Sequence, residues 1–261
     1  MTALIALPLL ILGILYASHG LFAGVLFLVT ALALHEFYRM ALPETRRLES
    51  SLAVAAGVLS CVGLTYAGSS PALLLSIVLP CLFVTLVYLF RFQDMQTVSR
   101  DLAISLLGLL YIPLLLSHAV LLRALPSGRD WVFLVLFVVM ASDTLAYFVG
   151  RKWGRHRLYE AVSPKKSIEG SLGGLAGGVL GAMICKFWFF AELSGMDILL
   201  VGGVAGAFSQ LGDLVESLFK RSFGVKDSGT LIPGHGGLLD RLDSLLFAFP
   251  VTYYYAVWVF A

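Results

Sequence analysis

Long apolar runs, separated by short polar breaks, set the pattern of the whole chain. Most runs have about 20 residues, which is the length that one transmembrane helix needs. Runs of this kind favour helices over a β-barrel, whose strands alternate and have only about 10 residues. The sequence therefore predicts an all-α, polytopic integral membrane protein with about nine transmembrane helices. The predicted spans are residues 1–17, 20–40, 50–68, 71–91, 101–123, 130–150, 170–191, 196–218 and 243–261.

The composition leads to the same class of protein. Of the 261 residues, 59% are hydrophobic and 13% are charged, and the mean hydropathy is +0.92. A soluble domain carries about 25% charged residues, so this chain cannot cover a globular surface with polar groups. A water-soluble monomer and a disordered chain are both excluded. The net charge of +2 and the lack of a basic domain give no indication of nucleic-acid binding.

Lysine and arginine residues are concentrated in alternate connections between the predicted spans. Fifteen of the 18 follow the even-numbered spans, and basic residues are enriched on the cytoplasmic side of a membrane. We therefore expect a cytoplasmic N-terminus, cytoplasmic loops at 151–169 and 219–242, and a C-terminus outside. We also divide the chain into N-terminal helices (1–123) and a C-terminal region (124–261), where we look for chemistry because both long polar loops fall there.

Several carboxylates lie inside or beside apolar runs, where they are costly and need a reason. Asp213 and Glu216 are three residues apart and share a helix face, and so do Asp240 and Asp243. Asp143 lies in a further span. Four carboxylates in a low dielectric need cations, and oxygen ligands suit Mg²⁺. A proton or sodium pathway, or pairing with neighbouring lysines and arginines, would explain the same residues.

Basic residues accompany these acids in two polar stretches. The first runs from residue 219 to 242 and is rich in glycine, so it could hold a polyphosphate together with its metal. The second, SPKKSIEGS at 163–171, precedes the seventh span, where a helix N-terminus attracts anions. Both stretches could instead be loops that only orient the protein. Their basic residues are Lys220, Arg221, Lys226, His235 and Arg241, and then Lys165 and Lys166.

Residues 217–243, SLFKRSFGVKDSGTLIPGHGGLLDRLD, resemble the signature of the phosphatidate cytidylyltransferases, also called CDP-diacylglycerol synthases. The resemblance extends to 142–154, 163–171 and 210–217, and it covers the C-terminal half. The matching positions of the signature are Ser217, Lys220, Arg221, Lys226, Asp227, Gly229, Pro233, His235, Gly236, Gly237, Asp240, Arg241 and Asp243.

The resemblance implies a membrane enzyme that makes CDP-diacylglycerol and pyrophosphate from CTP and phosphatidate. It also implies Mg²⁺, with room for a second, monovalent cation, and a homodimer with contacts through the N-terminal helices in a bacterial inner membrane. The implied metal ligands are Asp213, Asp240, Glu216 and Asp243. The implied catalytic residues are Asp213, Lys220, Arg221, Lys226, Asp227, His235, Asp240 and Arg241. The implied substrate-binding residues are Asp143, Lys165, Lys166, Ser167, Glu169, Ser217, Gly236 and Gly237.

Two other functions remain open from the residues alone. A CTP-dependent lipid kinase of the polyprenol type would also use a metal and basic loops, although it would release CDP rather than pyrophosphate. An ion-coupled transporter would use buried carboxylates, but it would not need the long acidic and basic stretch at 217–243.

Overall fold

The structure is a computed structural model that describes residues 12–231 and 236–260. It is dominated by long helices, which we number from the first helix whose bounds are described. A short 3-10 helix, Glu44–Arg46, precedes the second of them, and a π-helical turn, Ala256–Phe260, follows the last. The helices are α1 (His19–Ala41), α2 (Arg47–Tyr66), α3 (Ser70–Phe90), α4 (Val98–Ala124), α5 (Gly128–Trp153), α6 (Ile168–Trp188), α7 (Gly195–Ser222) and α8 (Leu239–Tyr255).

Within the described residues, eight helical segments are long and apolar enough to cross a membrane. Each begins and ends within six residues of a predicted span. The remaining predicted span, 1–17, lies largely outside the described residues. The prediction of an all-α, polytopic integral membrane protein is confirmed.

The predicted 151–169 loop has regular structure of its own. Helix α5 continues to Trp153, and a two-stranded antiparallel hairpin follows, with strands β1 (Arg157–Tyr159) and β2 (Ser163–Ser167). Ser167 ends β2 and caps α6, because its side chain accepts a hydrogen bond from the N–H of Gly170. The hairpin therefore leads directly into α6, and Ser167 fixes the residue at which the helix begins.

The chain forms two compact units. The first contains residues 17–120 and 227–240, and the second contains residues 12–16, 121–226 and 241–260 among those described. The main division, between Val120 and Leu121, lies close to the boundary predicted at 123/124. The 227–240 segment, however, belongs with the N-terminal helices, so the predicted catalytic region contributes residues to both units.

A buried ion pair joins the start of α2 to the start of α4 in the first unit. The Nε atom of Arg46 lies 3.1 Å from Oδ2 of Asp101, and both side chains are at most 2% exposed. Arg46 also lies over the ring of Tyr88, whose hydroxyl is 2.9 Å from Oγ of Ser105. Arg46 is one of the 15 basic residues that follow even-numbered predicted spans, yet its side chain is only 2% exposed and belongs to the core of this unit.

Glycines let three helices of the second unit approach closely. A Cβ atom at Gly177 would lie 2.5 Å from the carbonyl oxygen of Ala141 in α5, and one at Gly178 would lie 2.3 Å from that of Gly202 in α7. Helix α6 thus packs against α5 on one side and α7 on the other. Both glycines belong to series in α6 that repeat every four residues, Gly170, Gly174 and Gly178 and then Gly173, Gly177 and Gly181. Such spacing lets membrane helices pack closely.

This packing gives a matched pair of neighbouring substitutions in α7. A Cβ atom at Gly202 would lie 2.7 Å from Cα of Val179, whereas one at Gly203 would meet nothing within 4 Å. We expect Gly202→Ala to lower the thermal unfolding midpoint in detergent, because overpacking costs about 1–3 kcal/mol. Gly203→Ala should leave the midpoint unchanged or slightly higher, since alanine favours helix over glycine by up to about 1 kcal/mol. Equal midpoints for the two variants would contradict the close approach of α6 and α7.

Candidate functional site

Four polar residues lie on successive turns near the C-terminal end of α7. Asp213 accepts a hydrogen bond from Oγ of Ser217 at 3.3 Å, and Nζ of Lys220 lies 3.1 Å from Oε2 of Glu216. The spacings of three and four residues place these side chains along one side of the helix. Glu216 has no exposed surface and Lys220 is 12% exposed, so this ion pair is almost completely withdrawn from water.

Two acids from other helices join this group. Asp143 of α5 interacts electrostatically with Asp213, with Asp243 of α8 and with Lys166. Asp243 in turn lies close enough to Asp213 and Glu216 to interact with both of them. The second unit therefore brings the carboxyl groups of three helices into one cluster, which we call the acidic cluster. Its members are Asp143, Asp213, Glu216 and Asp243, with Lys166 and Lys220 beside them.

A close approach of backbones explains why α8 contributes to the acidic cluster. A Cβ atom at Gly212 would lie 2.4 Å from the carbonyl oxygen of Asp243. Any larger residue at position 212 would push α8 away from α7. The glycine immediately before Asp213 therefore sets the distance at which Asp243 meets the acids of α7.

The hairpin positions one of the two lysines. Nζ of Lys166, in β2, lies 2.8 Å from Oδ2 of Asp213, and the two side chains are 28% and 31% exposed. Glu169 accepts hydrogen bonds from the N–H groups of Arg155 and His156 and pairs with Nδ1 of His156 at 2.6 Å. Glu169 thus joins the segment before β1 to the start of α6. Lys165, the neighbour of Lys166 in β2, is exposed.

The remaining predicted acid, Asp240, lies in the first unit, where it shapes the 227–240 segment. Its Oδ2 accepts hydrogen bonds from the N–H groups of Ser228 and Gly237 at 3.0 and 2.8 Å. Its own N–H donates to Oγ of Ser228 at 3.3 Å. Gly236 has a φ of +84°, and a Cβ atom there would lie 2.9 Å from Oδ2 of Asp240. Glycine is therefore required at 236 by both conformation and space.

One residue of this region was missed by the sequence analysis. Glu36 in α1 is 6% exposed, and its Oε2 accepts hydrogen bonds from the N–H of Leu239 at 2.9 Å and from Oγ of Ser228 at 3.2 Å. The available signal was a carboxylate inside the predicted span 20–40, the same signal that singled out Asp143. Its partners could not be recognised, because they lie about 200 positions further along the chain.

Several predicted site residues are exposed, namely Arg221, Lys226, Asp227 and Arg241. His235 and Pro233 lie outside the described residues. Ser167 is buried as the cap of α6. The individual roles predicted for all of these residues stay predictions.

The acidic cluster has the chemistry of a site for a hard cation. Its four carboxyl groups face two lysines, and an excess of negative charge in a low dielectric favours a bound cation. Carboxylate oxygens are also the ligands that Mg²⁺ prefers. In the described parts of the chain, no three His, Cys, Asp or Glu side chains are arranged around a single metal position.

Comparison with known proteins agrees with the signature. A model of the cytidylyltransferase family matches residues 1–259. A phosphatidate cytidylyltransferase of Synechocystis sp. is 36% identical over 97% of this chain and 92% of its own length.

Other relatives match over a shorter part of their length. Phosphatidate cytidylyltransferases of Staphylococcus haemolyticus and Bacillus subtilis are 41% and 38% identical, over 58% and 57% of this chain. In these two comparisons the chain spans 57% and 55%, or about half, of the relative's length. The match over nearly the whole chain, together with the acidic cluster and the 217–243 signature, shows that the chain belongs to the cytidylyltransferase family.

Proposed function

We propose that this protein is a phosphatidate cytidylyltransferase, which forms CDP-diacylglycerol and pyrophosphate from CTP and phosphatidate. The observation that carries the proposal is the acidic cluster with its two lysines, built on membrane-spanning helices of a cytidylyltransferase-family chain. Such a cluster can bind a charged nucleotide that comes from water, because Lys166 and Asp213 are partly exposed. It can also bind a phosphate-bearing lipid from the bilayer, because it lies on membrane-spanning helices.

In the proposed reaction, a phosphate oxygen of phosphatidate attacks the α-phosphorus of CTP. A new P–O bond forms, the bond from the α-phosphorus to the oxygen that bridges it to the β-phosphorus breaks, and pyrophosphate leaves with that electron pair. The attacking oxygen is already anionic, so the protein need not supply a strong base. Its contribution is to position the two substrates and to neutralise their charge.

The basic residues divide by exposure. Lys166 and Lys220 are held against carboxylates, so they stay in place and give the acidic cluster its local charge balance. Arg221, Lys226 and Arg241 are exposed, and we assign them to the triphosphate and the departing pyrophosphate. Ser217, Asp227, His235, Gly236 and Gly237 keep their predicted roles beside the substrates, as do Lys165, Ser167 and Glu169 of the hairpin region.

The proposed cofactor is Mg²⁺, and the residues that would hold it are Asp213, Glu216 and Asp243, with Asp240. When bound, the ion would neutralise charge on the phosphates that approach it. Asp143 contributes negative charge to the same cluster. A second, monovalent cation remains part of the proposal, because the four carboxyl groups outnumber the two lysines.

We place the N-terminus and the polar stretches on the cytoplasmic side, and the C-terminus outside, on the strength of the charge distribution. The bacterial relatives support a location in the bacterial cell (inner) membrane. The homodimer with contacts through the N-terminal helices, implied by the resemblance, stays a prediction.

The activity is tested with the purified protein in detergent, supplied with CTP, phosphatidate and Mg²⁺. We expect CDP-diacylglycerol and pyrophosphate in equal amounts. Release of CDP with a phosphorylated lipid would identify a lipid kinase instead. Absence of CTP turnover together with ion-dependent flux in vesicles would identify a transporter.

The metal site is tested by Asp213→Asn, with Asp94→Asn as a control in an exposed connection. We expect Asp213→Asn to abolish turnover at ordinary Mg²⁺ and to raise the Mg²⁺ concentration needed for any residual activity, because a carboxylate ligand is lost. Asp94→Asn should behave as the unmodified protein. Normal Mg²⁺ dependence in Asp213→Asn would remove this residue from the metal site.

The phosphate role of Lys226 is tested by Lys226→Met, with Lys152→Met as a second exposed cation changed in the same way. Loss of one preorganised contact to developing charge costs about 3–4 kcal/mol. We therefore expect kcat/KM for CTP to fall by roughly 100- to 1000-fold in Lys226→Met and to change little in Lys152→Met. Small and equal effects would leave Lys226 as a residue that only orients the protein.

A further inference from the structure

Glu36 is a buried carboxylate in a helix that carries none of the predicted site residues. It lies among side chains that are fully buried, Ala33, Leu34 and Phe37, in the span His19–Ala41. A carboxyl group in such surroundings is expensive unless hydrogen bonds compensate it. Its contacts therefore indicate why the chain has an acid at this position.

Within the described residues, the hydrogen bonds of its Oε2 atom go to the 227–240 segment of the same compact unit. Oε2 accepts the N–H of Leu239, the first residue of α8, at 2.9 Å. The first N–H groups of a helix have no partner within the helix and carry partial positive charge. The Glu36 carboxylate thus caps α8 from a distant part of the chain. Its second bond, from Oγ of Ser228 at 3.2 Å, holds the beginning of the segment.

The backbone of the segment is shaped to receive this carboxylate. A Cβ atom at Gly229 would lie 2.7 Å from Oε1 of Glu36, and one at Gly237 would lie 2.6 Å from Oε2. Any side chain at either position would displace the carboxyl group or the segment. The two glycines of the signature therefore have a steric role toward Glu36.

Ser228 connects Glu36 to Asp240. Its hydroxyl donates to Glu36 and accepts from the N–H of Asp240, and its own N–H donates to Oδ2 of Asp240. Gly237 donates to the same Asp240 oxygen. If the Glu36 carboxylate were displaced, Ser228 would shift with it, and the carboxylate of Asp240 would lose a partner that orients it.

We propose that Glu36 is a positioning residue of the reaction, which fixes the 227–240 segment and through it the carboxylate of Asp240. The inference rests on the proposed function, because it takes Asp240 to be part of the reacting site. Glu36 itself touches neither substrate. The N-terminal helices then contribute to catalysis as well as to the scaffold.

The test compares Glu36→Leu, which removes both hydrogen bonds, with Glu36→Gln, which keeps a carbonyl oxygen of similar reach. Thr30→Val is the control, because Thr30 is a fully buried polar residue of the same helix whose hydroxyl bonds to Leu26 and Cys61 instead. Each variant is measured for kcat and KM for CTP, for its thermal unfolding midpoint, and for amide hydrogen exchange in residues 227–231 and 236–240.

We expect Glu36→Leu to lower kcat by about 100-fold, the scale of a misplacement of about 1 Å, with a KM for CTP within a few-fold of the unmodified value. Exchange at Ser228, Gly237 and Leu239 should become faster, and Glu36→Gln should restore most of the activity and protection. Thr30→Val should keep its kcat even if its unfolding midpoint falls.

The inference is overturned if exchange in the 227–240 segment is unchanged in Glu36→Leu, or if kcat stays within about threefold of the unmodified protein. It is also overturned if Glu36→Leu and Thr30→Val lose activity in proportion to their loss of thermal stability, because that pattern indicates a structural role alone. If the unmodified protein forms no CDP-diacylglycerol, the proposed function fails, and hydrogen exchange alone then decides whether Glu36 fixes the segment.

Discussion

The cost of keeping carboxylates inside apolar helices governs how this molecule is built. Each such acid must be matched by a cation, a hydrogen-bond donor or a bound ion. The second unit matches Asp213 and Glu216 with Lys166 and Lys220, and the first matches Asp101 with Arg46. Glu36 is matched by a hydroxyl and a backbone N–H. The acidic cluster brings four carboxyl groups together beside two lysines, and this imbalance separates a candidate site from a structural ion pair.

Close helix packing is the second condition for the acidic cluster. Carboxyl groups from α5, α7 and α8 can interact only if these helices approach each other, and glycine permits the approach at Gly178 with Gly202 and at Gly212 with Asp243. The small residues of α6 and α7 thus determine how close the charged residues of neighbouring helices come to each other. Replacing these glycines with larger residues would alter the distances between the carboxyl groups without changing any charge. The same substitutions disturb helix packing, so we expect their effect on activity to follow their effect on stability.

The sequence predicted the features that depend on local pattern. The span boundaries and the shared helix face of Asp213 and Glu216 follow from apolar run lengths and helical periodicity, and the structure has both. It could not predict the pairing of Lys166 with Asp213 or the contacts of Glu36, because these depend on which distant segments meet. The sequence predicted a loop at the position of the hairpin, residues 157–167, because its short polar strands lack an alternating apolar pattern. Asp240 was grouped with Asp243 by spacing, yet its hydrogen bonds go to Ser228 and Gly237.

The signature segment combines a fixed part with an exposed part. In its later part, four described residues are tied by hydrogen bonds to one another or to Glu36, namely Ser228, Gly237, Leu239 and Asp240. Arg221 and Lys226, which precede this part, are exposed, and Gly224 between them has a φ of +74°. Under the proposed function, this division gives the carboxylate of Asp240 a fixed position and leaves the cations room to follow the phosphates of the substrate. Along the signature, the exposed Arg221 and Lys226 precede the glycine-rich part, the anchored Asp240 follows it, and the exposed Arg241 comes directly after Asp240.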